Sequence, residues 1–143
     1  MSNFESLSFR RKALFIFAEM TTGAASFQYQ EETFLLLPQK ALFWKNTSTL
    51  IVADVHLGKV GHFRKAGIAI PRALEQEDLA MLSDLIAEHK PARVIFLGDF
   101  FHSDINNDWD WIVMWRDLFR DVAMVLVRGN HDIIHDRYYH ALD

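Results

Sequence analysis

Cysteine is absent from the 143-residue chain. There can be no disulfide framework and no thiolate metal cluster, so a metal would have to be held by carboxylates, imidazoles and amides. A reducing cytoplasm suits such a chain and is the expected compartment. Positive charge is also scarce: 15 Lys and Arg against 19 Asp and Glu leave a net charge of −4, so the surface as a whole is no electrostatic trap for nucleic acid. No stretch approaches membrane-spanning length, and no membrane partner is expected. The run Ala13-Leu14-Phe15-Ile16-Phe17-Ala18 after Arg10-Arg11-Lys12 imitates a signal peptide. It is shorter than the roughly 7–15 apolar residues such peptides carry, and no convincing cleavage site follows. Repeats, low-complexity segments and linkers are missing too, which leaves one packed domain; 50% hydrophobic and 24% charged residues are ordinary for one.

What is present is an alternation of short apolar runs with helical patterns. Phe34 to Leu37 and Ala41 to Trp44 read as two strands around Pro38, a hairpin-like entry to the domain. Leu50 to Ala53 is the first central strand. Pro71, placed as a first-turn proline, opens a helix through about Glu88 with Leu74, Leu82, Leu85 and Ile86 near one face. Arg93 to Leu97 returns as a strand, Asp108 caps a helix through about Phe119, and Val122 to Val127 is the third central strand. Strands alternating with helices predict an α/β fold with parallel βαβ units. Ile112, Trp115 and Phe119 fall at i, i+3 and i+7, the spacing of a core stripe, whereas Trp109 and Trp111 stay open between packing and stacking on bases.

Each central strand stops at hard metal ligands: Asp54-Val55-His56, then Gly98-Asp99, then Gly129-Asn130-His131-Asp132. Asp99 has two oxygens and can bridge two cations, Asp54 and His56 can reach one ion together where the strand gives way to a loop, and Asn130 adds a neutral amide oxygen. Mixed carboxylate, imidazole and amide donors suit manganese, iron or zinc better than calcium. Gly98 and Gly129 lie where a strand must turn sharply, and open α/β sheets place ligands at the carboxyl ends of their strands. Asp-x-His alone is a weak signal and Gly-Asp is a common turn dipeptide. All three motifs, in order and each at a strand end, are far more specific.

In that order the motifs resemble those of the calcineurin-like metallophosphoesterases. Gly98-Asp99-Phe100-Phe101-His102-Ser103 looks like the nuclease branch of that superfamily. The flanks Gly58-Lys59, Phe63-Arg64-Lys65-Ala66-Gly67-Ile68 with Pro71, and Asn106-Asn107-Asp108-Trp109 are similar to the bacterial ligase-associated DNA-damage-response endonucleases, over roughly Phe34 to Asp132. The resemblance implies the N-terminal half of a four-layer αββα sandwich, with a mostly parallel sheet and crossover helices, in a domain over residues 27–143. Residues 1–26 are then an N-terminal extension of unclear structure, with Met20 a plausible start.

The resemblance further implies two divalent ions, manganese first and iron or zinc as alternatives. Asp54, His56 and Asp99 would hold the first ion, Asp99 and Asn130 the second. Such a pair, about 3.5–4 Å apart, polarises phosphoryl oxygens and activates water for in-line displacement. His131 is placed beside the scissile phosphate, to neutralise charge or protonate the leaving oxygen. Asp132 orients that imidazole or caps the next turn, and His102 is a phosphate-side partner or a hydrogen-bonded loop residue. Lys59, Arg64 and Lys65 track a phosphate backbone or form a solvated helix face. The implied activity is phosphodiester hydrolysis in DNA repair, with nucleic acid as substrate and a DNA ligase and helicase of the same system as partners.

The pattern also departs from the superfamily, which supplies a lone histidine and a Gly-His-x-His element after Gly-Asn-His-Asp. His135 and His140 lack that glycine and spacing. The expectation is a domain truncated at its C-terminus, with weaker metal binding and one sheet face lacking its cover, a situation that favours homo-oligomers or poor solubility. Two alternatives follow: a small-molecule phosphodiesterase or pyrophosphatase with the same site, and an inactive metal-binding or interaction module.

Overall fold

In the computed structural model, which describes residues 23–57, 77–101 and 109–142, six short strands form one sheet. They are β1 (Ala25–Tyr29), β2 (Glu32–Leu37), β3 (Ala41–Trp44), β4 (Thr49–Ala53), β5 (Arg93–Leu97) and β6 (Ala123–Val127), and their order in space is their order in sequence. The first four run as an antiparallel meander; β4, β5 and β6 are parallel. Parallel neighbours need crossovers, and helices α1 (Glu77–His89) and α2 (Trp109–Leu118) lie in them. The α/β class and the βαβ core are therefore as the sequence reading expected. Pro71, Leu74 and the Asp108 cap lie outside the described residues.

The β2–β3 hairpin read from the sequence is present, but β1 was not anticipated and crosses the boundary drawn at residue 26. The turn between β1 and β2 explains the omission. Gln30 and Glu31 both have positive φ, 46° and 70°, a demand that sequence usually announces with Asn-Gly or Asp-Gly. Here the turn is driven by its strands, and Phe27 stacks on Phe34 across the pair at 4.9 Å.

Alternation puts Leu50 and Val52 of β4, Val94 and Phe96 of β5 and Met124 and Leu126 of β6 on one face. That face meets α1 and α2: Leu82, Leu85, Ile86, Ile112 and Trp115 join it in a single buried core. Trp115 also donates its indole N–H to Ser83 Oγ at 3.0 Å, locking α2 to α1. The core stripe on α2 is thus packing, whereas Trp111 is half exposed.

The opposite face is apolar but open. Leu36, Leu42, Ile51, Ile95 and Val125 stand in one cross-strand row, with Leu97 and Val127 beyond it; of these Leu36, Leu97, Val125 and Val127 are exposed. After β6 the chain forms a short helix α3 (Asp136–Tyr139) and a 3-10 turn, His140–Leu142. Arg116 ties that turn to α2, donating to the Leu142 carbonyl at 2.9 Å and the Phe119 carbonyl at 2.7 Å.

Candidate metal centre

Register places the site. Ala53 pairs with Leu97 and Leu97 with Val127, so all three central strands end at one level and release their next residues at the same sheet edge. The first two loops continue side by side past the sheet: His56 N–H donates to the Asp99 carbonyl at 3.0 Å, Leu57 N–H to the Phe100 carbonyl at 2.8 Å, and Leu57 and Phe101 form a parallel bridge. The third loop joins through Gly98 N–H, which donates to the Val127 carbonyl at 2.7 Å.

Within this frame the ligand atoms of Asp54, His56 and Asp99 all lie within 4.8 Å of one another. All three residues sit in the left-handed region, with φ of 50°, 55° and 48°. For L-residues that region costs about 1–2 kcal/mol each, and Asp and His are among the types that enter it most readily. Gln30, Glu31, Lys40, Ser48 and Lys90 share that region in turns or at a helix end, so what sets Asp54, His56 and Asp99 apart is that their strained positions converge. Two carboxylates brought together beside an imidazole are a poor arrangement without a cation and a good one with it. The donor set therefore fits a divalent metal, and its mixed oxygen and nitrogen atoms suit manganese, iron or zinc.

The third motif is pressed against Asp99. His131 N–H donates to Asp99 Oδ1 at 3.1 Å. A Cβ on Gly129 would strike that same oxygen and lie 2.5 Å from Asp99 N, so this glycine is required by close approach, not by its φ. Asn130 lies in the chain between Gly129 and His131, the two residues that make these contacts.

Asp132 is 3% exposed. Its Oδ1 accepts from Phe101 N–H at 2.9 Å and its Oδ2 from Gly129 N–H at 2.8 Å, so one carboxylate fastens the second loop to the third. These bonds hold the backbone of the second and third loops, a role that the sequence reading did not weigh for Asp132. His135 serves as N-cap of α3, its Nδ1 accepting from Arg137 N–H at 3.3 Å. Among the described residues, the acidic and imidazole cluster consists of Asp54, His56 and Asp99. His102, Lys59, Arg64 and Lys65 lie outside the described residues.

Sequence reasoning missed Arg128. Its guanidinium donates to Asp136 Oδ1 at 2.8 Å and to the carbonyls of Asp132 and Ile134 at 3.0 and 3.3 Å, and lies over the ring of Tyr139, 4.9 Å from the centroid. No spacing rule singles out this arginine, although its position directly before Gly129 was visible. Tyr139 keeps its hydroxyl buried without a hydrogen bond. Burial pushes its phenol above the ordinary value, Asp132 and Asp136 adding to the shift and Arg128 offsetting it.

Among the described residues no helix is long and apolar enough to cross a membrane. No curated protein sequence matches the chain. Among solved structures, the crystal structure of Pseudomonas putida nuclease MPE is similar, with a TM-score of 0.70 and 31% sequence identity; the match covers 84% of this chain and 57% of that one. The chain thus spans little more than half the length of that nuclease. Residues 47–143 match the family described as calcineurin-like phosphoesterase, a stretch that holds all three motifs and both central crossovers, and the chain belongs to that family.

Proposed function

We propose that this chain carries the Asp54, His56 and Asp99 part of a two-metal centre that hydrolyses phosphodiesters in nucleic acid, DNA first. The convergence of those three ligand atoms within 4.8 Å carries the reading. The similarity to a nuclease at 31% identity supports the choice of a polynucleotide over a small molecule. Asp54, His56 and Asp99 would hold one divalent ion, and Asp99 and Asn130 a second, with manganese the favoured metal. Bound there, such ions polarise a phosphoryl oxygen and lower the pKa of water. His131, on the loop against Asp99, would donate a proton to the leaving oxygen. His102 would assist on the phosphate side, and Lys59, Arg64 and Lys65 would follow the phosphate backbone. A role in DNA repair beside a ligase and helicase, in the cytoplasm, is part of the same proposal.

The test is manganese-dependent hydrolysis of a chromogenic phosphodiester and of single- and double-stranded DNA, with Asp99→Ala and His131→Ala proteins in parallel. Turnover lost in both variants, and inhibited by DNA, supports the reading. Turnover of the chromogenic ester that DNA fails to inhibit would instead indicate a small-molecule phosphodiesterase, and turnover that survives Asp99→Ala would refute the site.

A further inference from the structure

We propose that Arg128 is a positioning residue, holding the loop that bears Asn130 and His131 against Asp99 and thereby setting the affinity of the site for divalent metal. The proposal rests on the metal-site reading above.

The Arg128 side chain leaves the end of β6 and spans the whole loop to α3. One nitrogen, Nη2, reaches the carbonyls of Asp132 and Ile134, the other, Nη1, reaches Asp136 Oδ1, and the guanidinium plane covers the Tyr139 ring. A planar fork with donors at fixed angles can serve these acceptors together, which a lysine ammonium cannot. The ion pair with Asp136 is exposed, with side chains 48% and 70% accessible, so its own contribution to stability is small. The contacts to the loop are what place the site.

A closed circuit runs from Arg128 to the cluster. Arg128 fixes the Asp132 backbone; the Asp132 carboxylate grips Phe101 and Gly129 N–H; Gly129 and His131 in turn abut Asp99. Tyr139 closes it from the other side, its ring 5.8 Å from that of Phe101. Arg128 thus fixes the backbone from which the Asp132 carboxylate and the His131 amide reach the second loop. Freed of Arg128, the loop gains conformations in which the His131 amide no longer meets Asp99, and the competent fraction falls, lowering apparent metal affinity in proportion.

Amide hydrogen exchange of the metal-free 143-residue chain, followed by calorimetric titration with Mn2+, tests this. In Arg128→Ala, exchange at Phe101, Gly129 and His131 should rise about 10-fold while Val52 and Val94 keep their rates, and the Kd for Mn2+ should rise about 10-fold, as for other residues that orient ligands. Arg128→Lys should recover little, because charge without the fork does not span the acceptors. Asp136→Asn, which spares the carbonyl contacts, covers the case in which Arg128→Ala fails to fold, and it should raise exchange at the same amides by a smaller factor. Unchanged loop exchange in these variants would overturn the proposal. So would faster loop exchange with an unchanged Kd. A wild-type chain that binds no Mn2+, with loop exchange still raised in Arg128→Ala, would overturn the metal-site reading and leave Arg128 as a loop clamp.

Discussion

Asp132→Ala is the most informative perturbation of the protein itself, because it separates the loop-fastening bonds of this carboxylate from the imidazole-orienting role that the sequence left open. Asp132 is buried and each of its oxygens accepts one backbone N–H, at 2.9 and 2.8 Å. Hydrogen bonds to a charged partner contribute about 1.5–3 kcal/mol each, and alanine leaves both donors without their acceptor. The Phe101 amide is buried and would stay unsatisfied, whereas the Gly129 amide is partly exposed and water would restore some of its loss. The expected cost is therefore about 3–4 kcal/mol, the lower part of the two-bond range, out of the roughly 5–15 kcal/mol typical of a whole domain. Asp132→Asn keeps the shape but turns one acceptor into a donor facing an N–H, so about 1.5–3 kcal/mol should be lost. Urea unfolding followed by circular dichroism measures both, provided the slope m stays constant across variants. A loss below about 1 kcal/mol for the alanine variant, with activity nonetheless abolished, would refute the loop-fastening argument and return Asp132 to the role of orienting His131.

Four further outcomes are expected. Gly129→Ala should misplace Asp99, destabilising the chain by about 1–3 kcal/mol and abolishing measurable Mn2+ binding by calorimetry. Asp99→Asn keeps a residue type that tolerates the left-handed φ of 48° while removing charge, so Mn2+ affinity should fall at least about 100-fold with little change in urea midpoint. Lys90, with φ of 45° and its N–H bonded to the Ile86 carbonyl at 2.9 Å, ends α1 in the position glycine favours. Lys90→Gly should therefore raise stability by about 0.5–1 kcal/mol in the same assay. Tyr139 has a folded-state pKa raised above 10.0, so the folded form binds the phenolic proton more tightly than the unfolded chain. Stability from this group is complete below pH 10 and falls as pH rises beyond it; Tyr139→Phe should show a shallower alkaline loss in melting temperature, and equal slopes would count against the assignment.

Much of the candidate site was legible in the sequence because its motifs are local. Asp-x-His, Gly-Asp and Gly-Asn-His-Asp each sit at the end of an apolar run, and β-branched runs announce buried strands wherever they occur. The same locality made the Ile112 and Trp115 stripe readable as core. What stayed hidden depends on contacts between distant segments. β1 gives no turn signal at Gln30 and Glu31, so only pairing with β2 reveals it. The left-handed backbone at Asp54, His56 and Asp99 is imposed by loops running side by side, and nothing in three unconnected residues foretells it. Gly129 looked like a turn residue, yet the requirement at that position is room for Asp99, 30 positions earlier in the chain.

Sequence by itself determined the donor chemistry, the α/β alternation and the placement of each motif at a strand end, since each follows from residue type and short-range period. Tertiary structure alone decided that Ala53, Leu97 and Val127 end in register, that Asp132 spends both oxygens on backbone, and that Arg128 bridges β6 to α3. The physical reason is range: periodicity and propensity act over a few residues, whereas hydrogen bonds between loops exist only after the parallel sheet has brought those loops to one edge.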